Sequence, residues 1–464
     1  MPRIPPATLI QAYNTSPLLP IVLRGARTIE SATNELRWLR EHVKSLRQTC
    51  SHVASRKLLR LCERRSRGEP LQYILGSQPF GELDIKCRPG VLIPRPETES
   101  YTTYLAKLAN DNKLGINFSE KRAIRTLRIL DVCSGSGCIS LLLHSLLSTN
   151  FKLKIFGLDI SQQAIALSKQ NLAHNVNSGN VNASALIDTP YHPPEVQFGF
   201  ADIIHHPPRN LGQFDIIISN PPYISRSAFN TQTTRSVRNY EPKQALVPLG
   251  QNPDVFYKRL IRMHQVHLSR VLVMEVGDAA QAIRVAALAF EMNNTGFKHA
   301  PRVMNRVEIW RDNPDIEAGD GANEVVKELA GEKIRIIGQG KIRAVVLFRE
   351  RTDRHAIYKE RLNSRVVNRL DELGLARASE KEDRSGGGWR RSLGGRRRGR
   401  GGCGRRRFLG GSLVRKRDLQ MEGKRRKREE RRQRNELGEW RRRELREWRA
   451  RRSNRDRRRI PRSF

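Results

Sequence analysis

The chain has only six cysteines, Cys50, Cys62, Cys87, Cys133, Cys138 and Cys403, and no two of them share a Cys-x-x-Cys spacing. That excludes a disulfide framework and a zinc site, and it points to a reducing compartment with no metal. No run of eighteen apolar residues occurs, so no segment is expected to span a membrane. Acidic residues are scarce: 47 Asp/Glu stand against 86 Lys/Arg, for a net charge of +39. The first 29 residues hold Arg3, Arg24 and Arg27 and no acid at all. Such a start is compatible with an organellar targeting segment, although the amphipathic Arg/Ser pattern of one is missing.

The positive charge is not evenly spread. Residues 381–464 carry 34 Lys/Arg and 11 Asp/Glu, so +23 of the total lies in this stretch and a moderately basic body holds the rest. The stretch reads Arg384-Ser385-Gly386-Gly387-Gly388, then Gly395-Arg396-Arg397-Arg398-Gly399-Arg400, then Arg/Glu runs as far as Arg459. With almost no apolar stripe it cannot bury enough surface to offset its ordering entropy. It is expected to be disordered, or at most a single solvated helix. Its charge suits polyanions, so RNA or ribosome contact is the partner it suggests; an incidental extension is the competing account.

The 464 residues permit two or three domains. Ser31 is expected to cap a helix whose Leu36, Leu39, Val43 and Leu46 fall at helical spacing, and a second helix is expected over 53–62, ended by Gly68 and Pro70. Residues 1–70 therefore read as a small helical domain. A β-hairpin linker is expected over 71–96, with a strand at 80–87, a turn at Arg88-Pro89-Gly90 and a return through Val91-Leu92-Ile93. In Pro94-Arg95-Pro96-Glu97-Thr98-Glu99 the prolines halt the strand and the acids suit a helix's first turn.

From residue 127 strand and helix patterns alternate. Strands are expected at 127–132, 154–159, 196–201, 214–219 and 271–276, with helices at 138–147, 161–174, 254–268 and 278–292. Such alternation predicts a doubly wound α/β domain over 97–352, built on a parallel sheet. Runs 303–311 and 333–349 would add an antiparallel edge. Segments 177–195 and 319–331 read as inserted loops, and residues 353–464 as the basic tail.

Two loops carry the chemistry. Ile129-Leu130-Asp131-Val132-Cys133-Ser134-Gly135-Ser136-Gly137-Cys138 is a strand, a small-residue loop and a helix start. Its glycines let a ligand approach the backbone closely. Asp159 ends the next strand, where a carboxylate accepts from both hydroxyls of a ribose. Asp202, after the third strand, could face an adenine edge or simply close a turn. The loop is neither a Walker motif nor the full dinucleotide fingerprint. An adenosine ligand without a pyrophosphate fits better, which points to S-adenosylmethionine.

The second loop is Asn220-Pro221-Pro222-Tyr223, directly after the apolar run Phe214-Asp215-Ile216-Ile217-Ile218-Ser219. It stands at a strand's carboxyl end, where open α/β sheets bind ligands. The prolines freeze the backbone and remove two donors, so carbonyl oxygens are left for the site. The Asn220 side-chain oxygen and a proline carbonyl then offer two acceptors to one NH2 group, with the Tyr223 ring beside it. That suits methylation of a planar amide or of a nucleobase nitrogen, whereas an isolated motif of this kind is equally a tight turn.

Together with Tyr73-Ile74-Leu75-Gly76 and Leu92-Ile93-Pro94-Arg95-Pro96-Glu97-Thr98-Glu99, these motifs resemble the HemK/PrmC family. Its members are glutamine N5-methyltransferases of peptide-chain release factors. The resemblance covers roughly residues 30–350. It implies a helical N-terminal domain, a hairpin linker and a seven-stranded methyltransferase sheet. It also implies cofactor at Cys133, Ser134, Gly135, Ser136, Gly137 and Asp159, and the substrate glutamine at Asn220, Pro221, Pro222 and Tyr223. Glu241-Pro242 and Ala245-Leu246 match a family segment near the active site, and Cys133 stands where many members carry glycine. The helical first domain favours an organellar release factor, and so a mitochondrial rather than cytoplasmic location, because the family's cytosolic eukaryotic branch generally lacks that domain. An amino-group methyltransferase acting on adenine or cytosine in DNA or RNA is the competing enzyme. A vestigial site on an RNA-binding protein is the competing non-enzyme.

Overall fold

A computed structural model of the chain describes residues 3–46, 51–116, 126–189, 193–208, 211–248, 250, 252–294, 305–316, 325–329 and 332–349. The tail expectations fall outside the described residues. The helical part comprises α1 (Pro6–Thr15), α2 (Leu19–Ala26), α3 (Ile29–Ser45), α4 (Ser51–Ser66) and the short α5 (Leu71–Leu75). Thr28, not Ser31, caps α3: its Oγ1 accepts from the Ser31 N–H at 3.2 Å. Ala32, Leu36, Leu39 and Val43 then recur on one face and pack with Leu19, Val22, Leu23, Leu61 and Cys62. The N-terminal stretch considered above for targeting thus contributes α1 and α2 to this core. Arg65 of α4 pairs with the buried Glu35 of α3, tying the two helices.

The hairpin closes earlier than expected. Its strands are β1 (Ser77–Phe80) and β2 (Leu83–Lys86), paired antiparallel around Gly81-Glu82. Gly81 has φ +57, a conformation that a two-residue hairpin turn demands at its first position and that glycine adopts at least cost. Residues 91–93 are irregular instead of forming a return strand.

The α/β part follows as α6 (Pro96–Asn110), β3 (Thr126–Val132), α7 (Cys138–Leu147), β4 (Lys152–Asp159), α8 (Gln162–Asn177), β5 (Val196–Phe200) and β6 (Ile216–Ser219). Three short helices come next, α9 (Arg226–Thr231), α10 (Arg235–Tyr240) and α11 (Lys243–Leu246). The chain continues through α12 (Val255–Val266), β7 (Val271–Glu275), α13 (Ala279–Asn294), β8 (Asn305–Asn313), β9 (Val325–Leu329), β10 (Glu332–Ile337) and β11 (Gln339–Arg349).

The sheet order is β5-β4-β3-β6-β7-β11-β8-β10-β9. The first five strands are parallel, and β11 runs antiparallel between β7 and β8. These seven strands are the expected sheet; β10 and β9 lengthen its far edge to nine. The expected run 333–349 breaks at Gly338, φ +88, into β10 and β11. The segment read as an inserted loop over 319–331 contains β9, its remaining residues being outside those described.

Side chains alternate across the sheet. Ile129, Ile216, Ile218, Val271 and Val273 face α6, α7 and the hairpin. Leu130, Ile217, Leu272 and Met274 face α12 and α13. With both faces covered, the central strands β6 and β7 are apolar over nearly their whole length, as buried parallel strands are. The chain steps outward from β3 to β5 and then returns to β6 on the other side of β3. That reversal opens a crevice at the carboxyl ends of β3 and β6, where such sheets bind ligands.

Candidate active site

Register brings the two loops together. Val132 pairs with both Leu158 and Ser219, and Ser219 with Met274. One residue further along each strand stand Cys133, Asp159, Asn220 and Glu275, forming a row across the sheet's carboxyl edge. Cys133, Ser134, Gly135, Ser136, Asp159, Asp202, Asn220 and Pro222 line one cavity. Gly137, Pro221 and Tyr223 are not among its lining residues.

The loop after β3 is built by conformations that few side chains tolerate. Gly135 and Gly137 have φ +54 and +80. A Cβ on Gly137 would stand 2.9 Å from both Phe198 Cζ of β5 and Ser168 Cβ of α8, so that glycine lets the start of α7 approach both. A Cβ on Gly135 would meet nothing within 4 Å, so the loop there borders open space.

Cys133 also lies at positive φ, +63, which gives the family's glycine at this position a conformational reason. An L-residue in the left-handed region costs about 1–2 kcal/mol, and glycine escapes it at an entropic cost of about 0.5–1 kcal/mol. Cys133→Gly and Cys133→Ala both delete the sulfur, yet only glycine relieves the backbone. The glycine variant is therefore expected to be the more stable by about 1 kcal/mol. Urea unfolding of the pair checks this, and an alanine variant at least as stable as the glycine one would contradict it.

Asp159 is tied to this loop. Its Oδ2 accepts from the Gly135 N–H and its Oδ1 from the Ser161 N–H, both at 2.8 Å. Burial raises its pKa, and these N–H groups hold the rise back. Each oxygen keeps a further lone pair for a ligand hydroxyl. Asp202 lies beyond β5 and closes a turn: Oδ1 accepts from the N–H groups of Ile204 and His205, both at 3.0 Å. Its Oδ2 meets His205 Nδ1 at 2.8 Å. Burial alone would raise its pKa, but these partners bring it below the usual carboxylate range.

Asn220 donates from Nδ2 to Thr98 Oγ1 at 3.2 Å. Thr98 donates in turn to Glu275 Oε2 at 2.6 Å. Tyr223, expected beside the substrate, donates its hydroxyl to Glu275 Oε1 at 3.1 Å. A Cβ on Gly277 would come within 3.1 Å of its ring, so the ring is wedged against the chain after β7. Pro222 takes its place in the cavity wall.

Much of the cavity's remaining wall is supplied by the segments at 90–98 and 242–248, with Ile203, Ile204, Val255 and Phe256 adding to it. The two segments are clamped together where Arg95 Nη2 meets both Glu241 oxygens at 2.8 and 2.9 Å. The Ile93 N–H adds a bond to Glu241 Oε2 at 3.3 Å. In sequence the Pro94–Glu99 string reads as a helix start and as part of the family resemblance, and neither reading gives the Arg95–Glu241 pairing. Glu275 went unread, because one acid after four apolar strand residues looks like a solvated strand end. It is 2% exposed. Asn171 of α8 was missed as well. Its Oδ1 accepts from Lys86 N of the hairpin at 2.8 Å, and its Nδ2 donates to Ser136 O of the glycine loop at 2.9 Å. The linker is thereby joined to the loop.

The family model described as N-6 DNA Methylase matches residues 117–271. A Schizosaccharomyces pombe protein named "Probable MRF1 mitochondrial N(5)-glutamine methyltransferase mtq1" is 32% identical over 306 residues, covering 63% of this chain and 91% of the relative. The Saccharomyces cerevisiae "Mitochondrial MRF1 N(5)-glutamine methyltransferase MTQ1" is 34% identical over 258 residues, covering 53% and 68%. A Thermodesulfovibrio yellowstonii "Release factor glutamine methyltransferase" is 33% identical over 237 residues, covering 50% and 73%. A similarity of this grade, running through nearly all of the first relative, means that the chain belongs to the family of release factor glutamine N5-methyltransferases.

Proposed function

We propose that this enzyme methylates the side-chain amide nitrogen of the glutamine in the Gly-Gly-Gln motif of a mitochondrial peptide-chain release factor. The observation that carries the reading is the register just described, which sets the glycine loop and Asn220 side by side on adjacent strands. The residues of the loop fit S-adenosylmethionine. Asp131 Oδ1 and Ser134 Oγ are buried without a hydrogen-bond partner among the described residues, and the space at Gly135 is open. Cys133, Ser134, Gly135, Ser136 and Gly137 would hold its amino-acid end, Asp159 its ribose and Asp202 its adenine side. When bound, that cofactor supplies a methyl group on positively charged sulfur.

An amide nitrogen is a poor nucleophile because its lone pair is delocalised into the carbonyl. The chain's task is therefore to aim and polarise it. Asn220 Oδ1 and the Pro221 carbonyl accept the two N–H groups of the substrate amide and hold its lone pair towards the glycine loop. Orientation of this kind can be worth about 7–11 kcal/mol. Acceptors already in place also favour the positive charge that develops on nitrogen. Pro222 stiffens the loop, and Tyr223 braces it through Glu275. The Arg-rich tail fits RNA or ribosome contact, apart from the chemistry.

The test is single-turnover methylation of a release-factor domain carrying Gly-Gly-Gln, beside the same domain with that glutamine changed to alanine. Transfer to the first and none to the second is expected. Equal transfer to both would exclude glutamine as the target. The matched N-6 DNA Methylase model would then make a nucleobase amino group the next substrate to try.

A further inference from the structure

The geometry points to Thr98 as a positioning residue that decides which end of the Asn220 side-chain amide faces the cavity, with Glu275 as its anchor. This rests on the reading that Asn220 Oδ1 accepts a substrate N–H. The two ends of a carboxamide have nearly the same shape. Turned by half a rotation, Asn220 would present Nδ2 to the substrate's NH2 group, donor against donor, and the acceptor would be gone. Something in the protein has to choose the orientation before substrate arrives.

Hydroxyl direction makes that choice. Thr98 Oγ1 has a single proton, and Glu275 Oε2 takes it at 2.6 Å. The threonine oxygen is then an acceptor towards Asn220, 3.2 Å away, and only Nδ2 can donate to it. Glu275 is itself held from several sides. Its Oε2 also accepts from Tyr101 OH at 2.8 Å, its Oε1 from Tyr223 OH at 3.1 Å, and its backbone oxygen from Tyr257 OH at 2.9 Å. Burial raises the Glu275 pKa, against the pull of the three hydroxyls. A proton taken up there would still leave Thr98 in place, since Oε2 already receives two hydroxyl protons and Oε1 receives one. Thr98 is 2% exposed on the first turn of α6, which limits the directions open to its hydroxyl. The first turn of α6 thus delivers one hydroxyl to the motif after β6, 122 residues away.

Thr98→Val keeps the shape and deletes the hydroxyl, while Thr98→Ser keeps the hydroxyl. The valine variant is expected to lower kcat for the release-factor domain by up to about 10²-fold, the order a small misplacement costs. KM for that domain and cofactor affinity should stay near wild type, and the serine variant should recover most of the rate. In an Asn220→Ala background Thr98→Val should have no further effect, because no amide is left to orient. Three results would overturn the assignment of Thr98: a valine variant as fast as wild type while Asn220→Ala is slow, a serine variant as slow as the valine one, or additive losses in the double variant. Wild-type turnover by Asn220→Ala would instead overturn the acceptor reading itself, and the Thr98 assignment with it.

Discussion

Asn220→Ala is expected to slow methyl transfer by about 10²–10³-fold, the usual effect of deleting one preorganised hydrogen bond to developing charge. The side chain stands at the carboxyl end of β6, and its Nδ2 is already committed to Thr98. Removing it takes away the Oδ1 acceptor and leaves the glycine loop and Asp159 as they were. The substrate amide would keep one anchored N–H and rotate about it, so its lone pair would lose its aim. Affinity for S-adenosylmethionine, read by calorimetry, should remain near wild type while the single-turnover rate collapses. Asn220→Asp keeps an acceptor and adds a charge, so a partial loss is expected. Transfer at the wild-type rate in Asn220→Ala would remove amide positioning from the mechanism.

The parts of this site that were legible in sequence are those where backbone geometry restricts composition. A strand entering Cys133-Ser134-Gly135-Ser136-Gly137 and a strand entering Asn220-Pro221-Pro222-Tyr223 announce themselves, because few other residues tolerate those turns. The helix Cys138–Leu147 was read to the residue, since Gly137 starts it and most of its residues are apolar. What stayed hidden was long-range polar pairing. Glu275, Thr98 and Tyr101 meet only because α6 lies across the end of β7, and nothing local to any of them records the other two. Asn171 and Asn175 occupy α8 positions that a sequence reading gives to solvent, yet both are fully buried against β2. The hairpin was misplaced because Arg88-Pro89-Gly90 has the stronger turn composition. Gly81 wins because its turn lets Phe80, Leu83 and Ile85 all reach the core. Strands β9 and β10 were missed or merged because charged residues interrupt their alternation.

Asp131 should give the cofactor-free protein a stability that declines as pH rises from about 4 to about 7. The residue lies at the end of β3 with no exposed surface, and burial pushes its pKa up to about 7 from 3.8. The Ser140 hydroxyl, 2.6 Å from Oδ2, restrains the rise, and the nearby charge of Asp159 adds to it. Because the folded pKa is the higher one, the folded state binds the proton more tightly than the unfolded chain does. The favourable contribution is complete below about pH 4 and is lost as pH climbs through about 7. A difference of roughly three units corresponds to ~4 kcal/mol. Asp131→Asn retains an acceptor for Ser140 and has nothing to ionise. Measured against wild type by urea unfolding from pH 4 to pH 8, the variant should gain on it by up to ~4 kcal/mol. A gap that does not change with pH would show that this carboxyl does not titrate in that range. Saturating S-adenosylmethionine supplies the second arm. Its amino-acid end carries an ammonium, from which the unpartnered Oδ1 can accept a hydrogen bond, so binding should stabilise wild type more than Asp131→Asn and narrow the gap. If the cofactor stabilises both chains equally, the carboxylate takes no part in holding it.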